Sequence, residues 1–299
     1  MGCRFALALA LLILPGPAAA ALGIFACEPE WGALARELGG DRVSVYEATT
    51  ALQDPHRIEA RPSLIARARG ADLVMCTGAE LESGWLPLVL RESGNARVQP
   101  GRPGYFEAAR FVPLQEKPLR LDRSEGDIHA GGNPHIQGDP RNIGAVASAL
   151  GQRLAEIDPP NAAFYRERAR DFEARWSAAL QRWQARGAPL RGVPVVLQHR
   201  DPYLAGWLDL RVVGVLEPRP GMEATTAHLA ALAASLEQEP ARMVLRPAYQ
   251  PDRASRWLAE RAKLPVVVLP FTVGGNERAR DLFSLYDDTL DRLLAALKP

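Results

Sequence analysis

Leu22-Gly-Ile-Phe-Ala-Cys-Glu-Pro-Glu-Trp-Gly-Ala-Leu-Ala-Arg-Glu-Leu-Gly-Gly-Asp-Arg-Val-Ser-Val-Tyr46 is the stretch on which the reading of the fold turns. Leu22 to Cys27 is an apolar run of strand length. Trp31 to Leu38 carries apolar residues at helical spacing, and Gly39-Gly40 stops it, as glycine does at helix ends. Arg42 to Tyr46 then alternates like a strand. Strand, helix and strand at such short intervals are the signature of a parallel sheet with helices on its faces. The pattern continues outward with a helix-like run from Ser63 to Arg69, opened by Pro62, and an apolar strand, Ala71 to Cys76. In sheets of this kind ligands sit beyond the carboxyl ends of the strands. The loop Leu52-Gln-Asp-Pro-His56, delivered by the second strand, lies where that rule puts a functional residue.

From Arg91 to Gly126 the alternation dissolves. Val98-Gln-Pro-Gly-Arg-Pro-Gly104 argues for irregular backbone, either a long loop or a short hairpin region. Asp139-Pro140 marks a helix start, since proline is favoured in the first turn; Asn142 to Ile157 reads as helix, and Asp158-Pro-Pro160 breaks it. Asn161 is placed to cap the next run. That run reaches about Ala185 without proline or glycine and carries Phe164, Tyr165, Phe172, Trp176, Leu180 and Trp183 at roughly helical spacing. A second alternating half follows, with strands at 193–198, 212–216, 243–245 and 266–269. Helices are expected at 225–236, 253–262 and 281–297. The expected architecture is two Rossmann-like α/β lobes with mostly parallel sheets, joined by one long rigid linker helix. Its boundaries are a leader over 1–20, an N-terminal lobe over 21–158, the linker over 159–187 and a C-terminal lobe over 188–299.

The leader is an export signal by its parts: Arg4 for charge, Phe5 to Leu14 as the apolar run, and Pro15-Gly-Pro-Ala-Ala-Ala-Ala21 as the cleavage region. The run is shorter than the roughly 20 apolar residues of a membrane span. Removing Arg4 leaves 36 − 1 = 35 basic residues against 35 acidic ones, so nothing points to nucleic acid or an anionic membrane. The mature chain is expected to be soluble, periplasmic and monomeric. Cys3 leaves with the leader and is badly placed for lipidation. Cys27 and Cys76, each at the end of a strand, either bridge or remain two buried thiols.

Five histidines are present, two of them in the Gly/Pro-rich loop Asp127-Ile-His-Ala-Gly-Gly-Asn-Pro-His-Ile-Gln-Gly-Asp-Pro-Arg-Asn142. Pro-His occurs there at His135 and again at His56, and a rigid X-Pro-His turn fixes the direction of the ring. His199 ends the first strand of the second half. His56 and His135 from one half and His199 from the other would place a metal in the cleft between lobes.

Across nearly the whole mature chain the sequence resembles the zinc/manganese class of periplasmic solute-binding proteins of ABC transporters, the cluster A-I or ZnuA-like family. The residues that carry the resemblance are Asp54-Pro-His56 with Glu59 and Pro62-Ser63, Ala71-Asp-Leu-Val with Thr77-Gly78, and Leu81-Glu-Ser-Gly-Trp-Leu86. They continue with Asn133-Pro-His135, Asp139-Pro-Arg-Asn142, Glu156-Ile-Asp-Pro159, His199-Arg-Asp-Pro-Tyr203 and Leu282-Phe-Ser-Leu-Tyr286. The resemblance implies a metal held by His56, His135 and His199 and passed to an ABC permease.

The chain departs from that pattern at the fourth ligand. The family commonly has an aspartate where Phe271-Thr272 stands. Asp281 is the expected substitute, with Glu277, His129 or water as alternatives; His129 is otherwise an accessory of the loop, and His228 a structural residue within a helix. Three neutral imidazoles suit zinc better than manganese, which favours oxygen. Because imidazole binds metal only when neutral, affinity is expected to fall as pH drops through about 6 to 7. A competing reading is an exported zinc hydrolase with Glu80 or Glu82 as base, though no His-Glu-x-x-His occurs. A third is a surface adhesin or metal sensor.

Overall fold

The computed structural model describes residues 20–118 and 126–298. Residues 1–19 of the expected leader, Cys3 and Arg4 among them, lie outside that range. Two four-stranded parallel sheets organise the chain. The first contains β1 (Leu22–Ala26), β2 (Val43–Glu47), β3 (Leu73–Cys76) and β4 (Tyr105–Glu107) in the order β2-β1-β3-β4. The second contains β5 (Pro194–Leu197), β6 (Arg211–Val215), β7 (Met243–Pro247) and β8 (Val266–Leu269) in the order β6-β5-β7-β8, with every pairing parallel. The same winding thus occurs twice, and each sheet has its switch of direction beside its first strand. Helices cover the faces: α1 (Pro29–Gly39), α2 (Pro62–Arg69), α3 (Leu86–Ser93) and α4 (Pro140–Ile157) in the first half, and α6 (Pro202–Leu208), α7 (Thr226–Gln238), α8 (Arg253–Ala262) and α9 (Leu282–Ala296) in the second. Between them runs α5 (Ala162–Gly187), a helix of 26 residues linking the lobes.

Periodicity explains how the elements pack. Helix α1 buries Trp31, Leu34, Ala35 and Leu38, the i, i+3, i+4, i+7 stripe of an amphipathic helix. Each large apolar side chain so covered contributes roughly 1.5–3 kcal/mol. Helix α5 buries Tyr165, Phe172, Trp176, Ala179 and Trp183. The Trp176 ring lies 5.0 Å from Phe172 and from Trp183, and 4.9 Å from Phe283 of α9. Buried indoles need acceptors: Trp176 donates to the Pro140 carbonyl at 2.8 Å and Trp183 to Asp287 at 2.9 Å. One contiguous core therefore runs from Ile24 and Trp31 through α4 and α5 to Val195, Leu245 and α9. The lobes are joined by packed aromatic side chains as well as by the chain.

Three elements differ from expectation. Helix α3 was hidden because Trp85-Leu-Pro-Leu-Val-Leu90 is apolar without a helical period; its Pro87 stands in the first turn, where no hydrogen bond is lost. Strand β4, in the stretch read as loop or hairpin, is a three-residue parallel strand beside β3, too short to show alternation. Helix α6 is seven residues long and is opened by Asp201, whose carboxylate accepts from Leu204 N–H. Asn161 does not cap α5; its side chain donates to Asp158 instead. The cysteine alternative resolves as a bridge. Cys27 and Cys76 end the adjacent strands β1 and β3, with Cα atoms 4.8 Å apart, and form a disulfide.

Candidate metal centre

His56 and His135 are set by the same local device. In Asp54-Pro55-His56 the Asp54 carboxylate accepts the His56 backbone N–H at 3.0 Å; in Asn133-Pro134-His135 the Asn133 side-chain oxygen accepts the His135 N–H at 3.0 Å. An acidic or amide side chain that bonds the backbone two residues on, around a proline with fixed φ, is a rigid turn. Each turn is then tied to the fold. Trp85 Nε1 donates to the Pro55 carbonyl at 3.1 Å, and Tyr203 of the C-terminal lobe donates through its hydroxyl to the Asn133 carbonyl at 2.8 Å. His199 needs no turn, because it stands two residues beyond the end of β5. His129 sits on the loop leading to His135, held where Ala130 N–H donates to Glu80 at 2.7 Å.

These four rings converge between the lobes. Ring centroids lie 5.3 Å (His56–His129), 5.4 Å (His56–His135), 6.4 Å (His56–His199) and 4.7 Å (His135–His199) apart. The Nε2 atoms face one another in pairs, His56 with His129 at 3.3 Å and His135 with His199 at 2.8 Å. Four nitrogens at about 2.05 Å from a tetrahedral zinc are about 3.3 Å apart. The first pair already has that spacing and the second must open by about 0.5 Å, but the two pairs must also draw together, since no three of these histidines have ligand nitrogens all within 4.8 Å of one another.

Two carboxylates orient the rings. Asp54 lies 2.8 Å from His56 Nδ1 and Glu217 2.7 Å from His199 Nδ1. A carboxylate behind a ligating imidazole fixes the proton on Nδ1, leaving the Nε2 lone pair for metal, and raises its basicity. With His56 and His199 in that tautomer, the facing Nε2–H groups of His129 and His135 donate inward. Their own Nδ1 atoms then carry lone pairs, and both are buried without a partner. Burial is the largest influence on these two rings. With the neighbouring His56 it lowers His129 to about 4; with His199, His56 and His129 it holds His135 well below its ordinary value. Both shifts disfavour the protonated form of these two rings. Burial pushes the Asp54 carboxyl up, but hydrogen bonds and charge from His56, with Arg57, outweigh it and hold Asp54 below the usual range.

Asp281, the expected fourth ligand, is not among the groups gathered here. It is exposed and caps α9, accepting from Ser284 N–H at 2.7 Å while the Ser284 hydroxyl receives the Asp281 N–H at 2.9 Å. Aspartate followed three residues later by a hydrogen-bonding side chain is a capping-box signal, and it was present in the sequence. Glu277 is exposed as well. Phe271 packs on the cluster instead, its ring 5.3 Å from that of His135. His228, read as structural, stands in α7 away from these rings, with Nε2 at 2.9 Å from the Val215 carbonyl. Sequence reasoning missed Glu217, which is 18 residues from the ring it orients; Asp54, within the Pro-His turn itself, was there to be read.

Both acids of the hydrolase reading already accept backbone hydrogen bonds. Glu80 is bound to Ala130 N–H, and Glu82 is buried, accepting from the Thr77 and Gly78 backbone. Glu82 belongs to a buried group with Glu28 and Glu30 beside the disulfide. Burial, then the Glu82 and Glu30 carboxylates, push Glu28 well up; burial raises Glu30 and Glu82 each to about 7. Glu30 accepts from the Thr272 hydroxyl at 2.5 Å, joining α1 to the loop after β8.

The family described as zinc-uptake complex component A, periplasmic (ZnuA), matches residues 24–296. The chain belongs to this family. ZnuA-type proteins are metal-binding solute-binding components of ABC transporters, which work with a membrane permease, and are not enzymes. The chain is 22% identical over 271 residues to a putative metal-binding protein of Treponema pallidum, covering 88% of this chain and 83% of that protein. It is 21% identical over 270 residues to the manganese ABC transporter substrate-binding lipoprotein scaA of Streptococcus gordonii, covering 88% and 85%. The crystal structure of ZnuA superposes with a TM-score of 0.77 at 21% identity, over 93% of this chain and 100% of that one. FpvC from P. aeruginosa in complex with Ni2+ gives 0.75 at 22%, over 93% and 97%. These likenesses establish the two-lobed fold. Among the described residues no helix is long and apolar enough to cross a membrane.

Proposed function

We propose that this ZnuA-family protein captures zinc between its lobes through His56, His129, His135 and His199 and delivers it to an ABC permease. What supports this most is the pair of facing Nε2 contacts, His56 with His129 and His135 with His199, the second of them across the lobes, with Asp54 and Glu217 behind one ring of each pair. An all-imidazole set suits zinc, while manganese favours oxygen donors. The lobes are residues 21–158 and 188–299, with the helical segment 159–187 between them, and the chain acts as an exported periplasmic monomer. His56, His129 and His135 come from one lobe and His199 from the other, so the ion would bridge the two lobes.

Metal analysis of the purified mature protein tests the reading, combined with competitive zinc titration of four single alanine variants. His56→Ala, His135→Ala and His199→Ala are each expected to weaken zinc binding at least about tenfold, the lower range for losing a group that supports a zinc site. His129→Ala should do the same, whereas Asp281→Ala should leave zinc affinity unchanged and lower the melting temperature through loss of a helix cap, about 1 kcal/mol. Unchanged zinc affinity in the first three variants overturns the site. Unchanged affinity in His129→Ala alone returns the fourth position to another donor.

A further inference from the structure

A second cavity, of about 520 Å³, adjoins the metal centre in the cleft. That is within the roughly 300–1,000 Å³ of small-molecule sites and far beyond the needs of an ion. His56, Asp127 and His199 line both this chamber and the open cavity, of about 380 Å³, in which the four rings stand. Leu216, Leu229, Ala254 and the half-buried Trp257 give the chamber an apolar wall. Polar groups complete it. Gln198 and Gln250 are only 5% and 9% exposed. Their amide N–H groups are committed, Gln198 to the Pro251 carbonyl at 2.6 Å and Gln250 to Glu217 at 2.7 Å, and the side-chain oxygen of each is buried without a partner. Buried acceptors are paired in the great majority of cases, so two orphans in the lining of one cavity call for donors from an occupant. Arg253, exposed at the start of α8, also lines the chamber and pairs with no acid among the described residues.

Unpaired acceptors, an unpaired guanidinium and an apolar wall together match the amine, the carboxylate and the carbon frame of an amino acid. The neighbouring rings supply a reason for such a ligand to be there. Their nitrogens stand as two pairs, and no three lie within 4.8 Å of one another, so an ion arriving among them has positions for donors of its own. We propose that the chamber holds the organic part of an incoming zinc complex, an α-amino acid chelated to the ion: Arg253 holds its carboxylate, the Gln198 and Gln250 oxygens accept from its amine, and its carbon frame lies against the Trp257 wall. An amine bound to zinc keeps its N–H hydrogens, so chelation and these hydrogen bonds are compatible. The inference rests on the zinc site proposed above and goes beyond it, since the cargo becomes a chelate and not a bare ion.

L-histidine is the probe, because it chelates zinc through amine and imidazole and leaves its carboxylate free. Equilibrium dialysis of the full mature chain against isotopically labelled L-histidine, with and without one equivalent of zinc, reads the complex, and zinc is determined in the same samples. One L-histidine per zinc-loaded chain is expected, bound at least about tenfold more weakly without zinc. Arg253→Gln should lower histidine retention about tenfold, the scale of one charge-assisted hydrogen bond, and leave zinc content unchanged; Trp257→Ala should act in the same direction. Imidazole, which has the ring but neither amine nor carboxylate, should not be retained. Zinc bound without histidine, or zinc stripped from the chain by histidine, overturns the inference while leaving the zinc site standing. Retention undiminished in both variants, or imidazole retained as well as histidine, overturns the chamber as the holder. A wild type that binds no zinc, with or without histidine, overturns the zinc site and the inference with it.

Discussion

Glu217→Gln is the substitution whose effect the structure fixes most closely. Glu217 Oε2 accepts from His199 Nδ1 at 2.7 Å and from Gly221 N–H at 3.1 Å, and Oε1 accepts from Gln250 Nε2 at 2.7 Å. Glutamine keeps the shape. Its oxygen can face His199, and its amide can then face Gln250, which turns its own amide over to offer the oxygen that now has no partner. What is lost is the negative charge behind the imidazole. A hydrogen bond to a charged group is worth about 1.5–3 kcal/mol against about 0.5–1.5 for a neutral one, so losing the charge alone costs about 1–1.5 kcal/mol, or about tenfold in zinc affinity at about 1.4 kcal/mol per tenfold. That is the lower end of the range typical for losing a carboxylate behind a zinc-bound histidine. The Glu217 side chain is only 14% exposed, so solvent screens little of this. Asp54→Asn should cost less, because Asp54 is 33% exposed. The assay is competitive titration against a chromogenic chelator at pH 7.5, with Glu239→Gln, from a surface pair with Arg211, as control. Affinity in Glu217→Gln within twofold of that control refutes the orienting role.

Two further outcomes concern the frame around the site. The Cys27–Cys76 bridge closes a loop of 49 residues, for which chain entropy gives about 4 kcal/mol; chemical denaturation of the double alanine variant measures it, and a loss under 1 kcal/mol contradicts the estimate. Glu30 has a folded-state pKa raised by burial to about 7 against 4.5 unfolded, so the native state keeps a proton that the unfolded chain has released. Its contribution to stability is complete below about pH 4.5 and is lost as pH rises through 7. Glu30→Gln keeps an acceptor for Thr272 and removes the ionisation. It should raise the melting temperature at pH 8.5, by an amount equivalent to at most about 3 kcal/mol, and leave it unchanged at pH 4.5; an equal effect at both values contradicts the assignment.

The lobed architecture was legible because it is written in local periodicity. Leu22–Tyr46 spells strand, helix and strand, and the aromatic residues from Phe164 to Trp183 spell one long helix whichever neighbours they meet. The two Asx-Pro-His turns were equally local: a side-chain oxygen, a proline and a histidine within three residues fix the direction of a ring without help from the rest of the chain. Helix α3 and strand β4 were not legible, one lacking a period and the other too short to have one.

The identity of the fourth histidine and the surroundings of the site belong to tertiary structure. His129 meets His56 across 73 positions of sequence, and Glu30 meets Thr272 across 242. No local rule ties such partners, because their separation in space depends on how two sheets are wound and set against α5. Asp281 shows the converse: near in sequence to the expected ligand position, it is committed by its own next turn to capping α9. The sequence by itself determined most of the strands and helices, through their local periods, and the loops from which three imidazoles emerge. Only the packing of the two lobes decided that a fourth joins them, that Asp54 and Glu217 stand behind the rings, and that Phe271 rather than an acid covers His135.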